Sequence, residues 1–250
     1  MTTKKIPIYL LLCATIIASS SCSILNVANP TIEPIVFTKP MHRDTAFTTS
    51  YVGGKYSNTQ YLDSYTDLLE NNLGQVNLYQ TYTRKFLNAS YGGFAYVGSI
   101  KISDYLNNHP ENSDNKNYYG FGATADVQLN LPFGNFALRP LGARVSALYE
   151  NGEYANYKNN LYHILSIKNN YIATSISQTF GADYYFKKSS IGFNFSAGFQ
   201  TTYPTQYFDF GYSSNIVYTY DRLSMYLQQS GHLLLQNSDF VVGVSYRFAK

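Results

Sequence analysis

Read at period two, the closing stretch FVVGVSYRFAK puts Phe240, Val242, Val244, Tyr246 and Phe248 on one side of an extended strand. Val241, Gly243, Ser245 and Arg247 fall on the other. The same alternation runs through YYGFGATADVQLNLPFG, where Tyr119, Phe121, Ala123, Ala125, Val127, Leu129, Leu131 and Phe133 share a face opposite Gly120, Gly122, Thr124, Asp126, Gln128 and Asn130. It recurs in GFNFSAGF (Phe193, Phe195, Ala197 and Phe199 against Gly192, Asn194, Ser196 and Gly198) and in FDFGYSSNIVYTY. The longest run exceeds the ~5–6 residues of an ordinary globular strand. One greasy face and one small or polar face suit either a soluble sheet on a core or a barrel with lipid outside and a polar lumen.

About ten strands are expected on this pattern, near residues 45–56, 75–86, 90–102, 118–133, 136–150, 171–186, 191–202, 206–220, 222–229 and 239–248. If the ninth and one other weak segment are not strands, the count is eight. Short links (KFLNAS, PFGN, FKKSS) alternate with long polar ones at 57–74, 103–117 and 151–170. Outer-membrane barrels have short periplasmic turns and longer external loops, and an even strand count returns both ends of the barrel to the periplasm. Two segments break the pattern. TQYLDSYTDLLENNL spaces Tyr61, Tyr65, Leu68 and Leu69 like a short helix, and SGHLLLQNS is either a loop element or an extension of strand nine.

Composition narrows the class. Charged residues are 13% and aromatics 17%, with 26 Tyr and no Trp. Past the first twenty or so residues no apolar run approaches the ~20 residues of a spanning helix, whereas a spanning strand needs only ~10, half of them facing lipid. The formal charge of +3 includes Lys4 and Lys5 of the leader, so the remaining chain is nearly neutral. No basic run is interleaved with aromatics as a nucleic-acid surface requires.

MTTKKIPIYLLLCATIIASSSC has a basic start, an apolar stretch from Ile6 to Ala18 and a run of serines before Cys22, the architecture of a secretory signal peptide over residues 1–21. Cys13 leaves with it, making Cys22 the one thiol of the exported chain. Cys22 after small residues resembles the lipobox of bacterial lipoproteins, with Ser19 where leucine is usual; the resemblance implies acylation at Cys22. Residues 22–44, punctuated by Pro30, Pro34 and Pro40, read as a tether to the periplasmic leaflet, and residues 45–250 as the barrel.

Gly243, Tyr246 and Phe248 resemble the carboxy-terminal assembly signal of bacterial outer-membrane proteins, a glycine followed at three and five residues by large hydrophobics. With the leader and the strands, the chain resembles the small outer-membrane β-barrel class, and its Tyr, Asn and lipobox variant resemble those of Bacteroidota proteins. The resemblance implies an all-β, antiparallel, up-and-down transmembrane barrel with outer-membrane lipid and the barrel-assembly machinery as partners. It names an architecture and no task.

The inward phase carries Lys101, Asp126, Arg144, Asp183, Asp209 and Arg247, charges expected to neutralise one another in a packed lumen. His42, His109, His163 and His232 show no ligand spacing, so no metal or other cofactor is expected. Three function classes follow. A non-enzymatic envelope protein, either an accessory subunit engaging partners through its long loops or a narrow pore, is the principal expectation. An outer-membrane enzyme would need a cluster such as His163 with Glu150 or Glu153 at the external rim. A lipocalin-like lipid-binding lipoprotein would reverse the faces, although the tryptophan expected of that class is missing.

Overall fold

The computed structural model describes residues 33–41, 46–62, 67–104, 114–154, 170–203, 207–232 and 238–249. The signal segment, Cys22, His42, His109 and His163 lie outside them. The strands are β1 (Phe47–Leu62), β2 (Asp67–Arg84), β3 (Leu87–Asp104), β4 (Asp114–Leu129), β5 (Leu131–Phe133), β6 (Phe136–Gly152), β7 (Asn170–Tyr185), β8 (Ser189–Tyr203), β9 (Tyr207–Tyr220), β10 (Leu223–His232) and β11 (Ser238–Ala249). Apart from β4 and β5, sequence neighbours pair antiparallel, and β1 pairs with β11 and β4 with β6, so the sheet closes on itself. β5 prolongs β4 past a break at Asn130, whose amide donates to Phe86 O (3.0 Å). The result is a closed barrel of ten long strands with one short extra strand. The eight-strand alternative falls, because β10 is laddered on both sides, to β9 and β11.

Tight turns collect at one end. Lys85 and Phe86 link β2 to β3, Asp221 and Arg222 link β9 to β10, and Gly134 and Asn135 link β5 to β6. Gly134 has φ +61°, a left-handed conformation that glycine adopts without steric cost. The other connections lie at the opposite end, with the links after β3 and β6 long as expected, whereas the long link expected at 57–74 is mostly strand, laddered from Ser57↔Leu73 to Leu62↔Leu68.

The outward phase is apolar. Val97 and Phe240 are 65% and 66% exposed, while the inward Gln128 and Ser213 are 1% and 0% exposed. Left in water, each such side chain forgoes roughly 1.5–3 kcal/mol of burial. The reversed faces of a lipocalin are therefore overturned. Exposed aromatics form a belt at the short-turn end (Phe86, Phe133, Phe136, Phe186, Tyr220, Phe248) and another toward the far end (Tyr56, Tyr119, Tyr203). Such girdles mark the two interfaces of a membrane barrel.

Beyond the upper belt the faces exchange chemistry while the phase continues. On β3 the outward Tyr91, Ala95 and Val97 give way to Ser99 and Lys101, and the inward Asn88 and Ser90 give way to Phe94, Tyr96, Ile100 and Ile102. On β2 the inward Gln75, Asn77, Thr81 and Thr83 are continued upward by Leu73 and Leu69. These strands rise past the bilayer as a water-exposed extension with a soluble-protein core of Leu69, Leu73, Ile100, Tyr118, Leu148 and Tyr154.

The extension also corrects the expected helix in TQYLDSYTDLLENNL. Tyr61 pairs with Leu69 and Leu62 with Leu68 in the β1–β2 ladder. A spacing of four keeps residues on one face of a strand as well as of a helix, and here Leu69 and Leu73 both point inward.

Candidate functional site

The lumen is occupied by the chain itself. Glu33 to Lys39 are buried, with Ile35 at 0% and Phe37 at 2% exposure, although the segment joins no strand ladder. Alternate side chains reach opposite walls. Ile35 and Phe37 enter the cluster of Tyr51, Leu69, Tyr79 and Tyr96, while Val36 packs on Val217 and Tyr226. The Phe37 ring meets Tyr79 edge-on at 5.3 Å and lies 5.5 Å from the Arg144 guanidinium carbon.

Pro34, Pro40 and the absence of a strand partner leave the segment's backbone groups without a ladder, and luminal side chains supply partners. Gln228 Nε2 donates to Glu33 O (3.0 Å), Gln75 Nε2 to Pro34 O (2.7 Å) and Thr81 Oγ1 to Thr38 O (3.3 Å), while Thr38 N donates to Tyr79 Oη (3.3 Å). Buried backbone groups that lack water need such partners. At the short-turn mouth Pro40 and Met41 line a cavity of about 500 Å³ with Tyr185, Asp221, Arg222 and Arg247.

Charge runs as a chain through this packing. Glu33 Oε1 pairs with Arg144 Nη1 at 2.6 Å, Arg144 Nη2 with Asp126 Oδ2 at 3.2 Å, and Asp126 Oδ1 with Lys39 Nζ at 2.5 Å. Lys39 also donates to Gln128 Oε1 (2.8 Å), and Glu33 Oε2 accepts from Ser196 Oγ (3.2 Å). Two carboxylates and two cations alternate, each nearly wholly buried. This is the arrangement in which attraction in a low dielectric can offset the cost of desolvation. Arg139 forms a second pair with Asp183, donates to Asn194 Oδ1 (2.8 Å), and Tyr185 Oη donates to the same Asp183 (3.1 Å).

Of the six charges expected to face inward, Asp126 and Arg144 meet across the β4–β6 ladder and Asp183 lies in the second pair. Arg247 is at the short-turn rim, where Nη2 donates to Asp221 O (2.9 Å). Lys101 is exposed on the outward phase, a correction with a clear cause: it stands above the membrane boundary, where polar residues face out. The side chain of Asp209 lies outside the described residues.

Three of these buried charges escape a period-two reading. Glu33 and Lys39 belong to the stretch read as a tether, which over residues 33–40 is a luminal plug; residues 22–32 lie outside the described part. Arg139 is inward because the β6–β7 register shifts between Arg139 and Gly142, at Pro140, so odd residues face in before the bulge and even ones after it. The proline was the available signal.

The terminal triplet divides between the faces of β11. Tyr246 and Phe248 are exposed toward lipid, whereas Gly243 faces the lumen opposite Tyr226. A Cβ at 243 would stand 2.2 Å from Tyr226 Cζ, so the bare backbone makes room for the ring. Glu150 is fully buried and accepts from Tyr96 Oη (3.0 Å); Glu153 accepts from Asn117 N (3.1 Å). Among the described residues no group of three His, Cys, Asp or Glu could hold a metal.

No protein-family model and no curated protein matches the sequence. Several solved structures are similar in fold. The β domain of the Bordetella autotransporter BrkA is 7% identical with a TM-score of 0.45, over 82% of this chain and 100% of that one. The COG4313 outer-membrane channel of Pseudomonas putida F1 is 11% identical with a TM-score of 0.40, over 80% and 95%. The Escherichia coli outer-membrane protease OmpT is 10% identical with a TM-score of 0.37, over 81% and 95%. Closed strands, an apolar outer band and a polar interior make this chain a transmembrane β-barrel of the outer-membrane class.

Proposed function

We propose that this protein is a non-enzymatic outer-membrane barrel, sealed by its own amino-terminal segment, that serves as a structural or accessory subunit of an envelope assembly. The observation that carries the reading is the plug. Its side chains fill the lumen from wall to wall and its charges are matched to those of the strands, which argues against the pore variant. The polar extension above the membrane offers the surface for partners, since Ser99, Lys101 and Asn117 stand on rigid strands that carry the long connections.

Planar-bilayer recording and purification from the native envelope test the two halves of this proposal. The whole protein is expected to give no stable conductance steps and to bring down a stoichiometric envelope partner. Large ion-selective steps would return it to the pore class, and repeated recovery of the barrel alone would remove the accessory role.

A further inference from the structure

The short-turn mouth gathers positive charge that the described residues around it do not balance. Its cavity of about 500 Å³ is lined by five cations, Lys39, Lys187, Lys188, Arg222 and Arg247, against one carboxylate, Asp221. Lys39 is already held by Asp126, and Arg247 Nη2 lies 3.7 Å from Asp221 Oδ1. Lys187, Lys188 and Arg222 make no ion pair among the described residues. The backbone also keeps these cations together. Asp221 N donates to Lys188 O (2.9 Å) and Arg247 N to Arg222 O (2.8 Å), so the β7–β8 turn, the β9–β10 turn and the end of β11 are stitched side by side. Like charges fixed on neighbouring strands repel, and an anion seated among them relieves the cost.

We infer that this mouth is a binding site for a phosphate group, with the plug as one of its walls. A phosphate carries up to two negative charges near neutral pH and accepts hydrogen bonds on several oxygens. That suits two guanidinium forks and two flexible ammonium groups better than a single carboxylate does. Ser189 and Ser190 add hydroxyl donors beside the two turn lysines, and Thr38, Pro40 and Met41 line the cavity from the plug without adding charge. A cavity of this size takes a phosphate together with a small organic body. The phosphate has two possible sources, a lipid headgroup in the adjoining leaflet, which the lining residues Phe186 and Tyr220 border, and a soluble phosphate compound. The site stands whether or not the barrel serves an envelope assembly.

The test uses the full chain. In uncharged detergent, inorganic phosphate is titrated at constant ionic strength and followed by phosphorus NMR line broadening. In a second arm, native mass spectrometry counts the lipid retained by protein extracted from vesicles of equal parts phosphatidylglycerol and phosphatidylcholine. K187Q/K188Q/R222Q removes three cations from the turns, outside every strand, and K101Q/K116Q removes two from the long-connection end. Heat-modifiable migration confirms that each variant is folded. The triple variant is expected to weaken binding about ten-fold or more, and the control variant by less than about two-fold. Broadening of inorganic phosphate without lipid retention assigns the site to a soluble phosphate, and selective retention of phosphatidylglycerol assigns it to a headgroup; either supports the site. Binding in neither arm, equal binding by the triple variant, an equal loss in the control, or displacement of phosphate by an equal concentration of acetate overturns it.

Discussion

Arg144 is the joint between plug and wall. It holds Glu33 and Asp126 at once, and truncating it leaves two buried carboxylates without that partner. Arg144→Met is expected to destabilise the folded barrel by about 3–5 kcal/mol. The measurement is urea unfolding in detergent, followed by loss of heat-modifiable migration. Adding Glu33→Gln should recover part of the loss, because the two residues share one interaction. Gly243 makes a second test. Gly243→Ala drives a methyl into the Tyr226 ring and should cost about 1–3 kcal/mol. Tyr226→Ala in the same chain should relieve most of the added strain if packing is the reason for the glycine. An undiminished assembly defect in the double variant would instead assign Gly243 to recognition by the assembly machinery. The sequence exposed Asp126 and Arg144 because they lie in long uninterrupted alternations. It concealed Arg139, because a one-residue bulge reverses the parity that the reading depends on.

Strands were legible because their period is imposed twice, by lipid outside and by polar packing inside. The rule that polar residues face the lumen holds only at membrane depth. Above it the solvent changes and the same parity carries the opposite chemistry, so the pattern places Lys101 on the wrong side and makes the stretch with Tyr61, Tyr65, Leu68 and Leu69 resemble a helix. The boundary can be located on β3 by a pair of outward substitutions. Ala95→Arg places a charge within the apolar band and should cost about 2–4 kcal/mol, whereas Ser99→Arg, above it, should cost about 0–1 kcal/mol. Equal losses at both positions would mean that the bilayer reaches higher than the aromatic belt. The plug had no comparable signature. An extended segment with Pro34, Pro40 and a mixture of Ile, Glu, Phe and Lys looks like linker, and its burial is enforced by residues up to 207 positions away.

For the whole molecule the plug is the difference between a tube and a solid. Residues 23–40 contribute to no described strand and to neither side of the β1–β11 seam, and the Asp126–Arg144 contact is made between β4 and β6 themselves. A protein lacking residues 23–40 should still insert and migrate as a folded barrel, with lowered resistance to heat. It should also show conductance steps that the full chain lacks; silence from a folded truncated barrel would mean that the remaining side chains close the lumen unaided. The plug also constrains the order in which the protein can be built. Thr38 Oγ1 lies 3.0 Å from Ser245 Oγ, so the first described segment touches β11, the last described strand. Because Phe37 and Val36 pack on opposite walls, the plug is expected to be laid along the open sheet before β11 meets β1. Closure of that seam is then an act of wrapping, and an assembly machine that held the last strand would be holding the door until the amino terminus was inside.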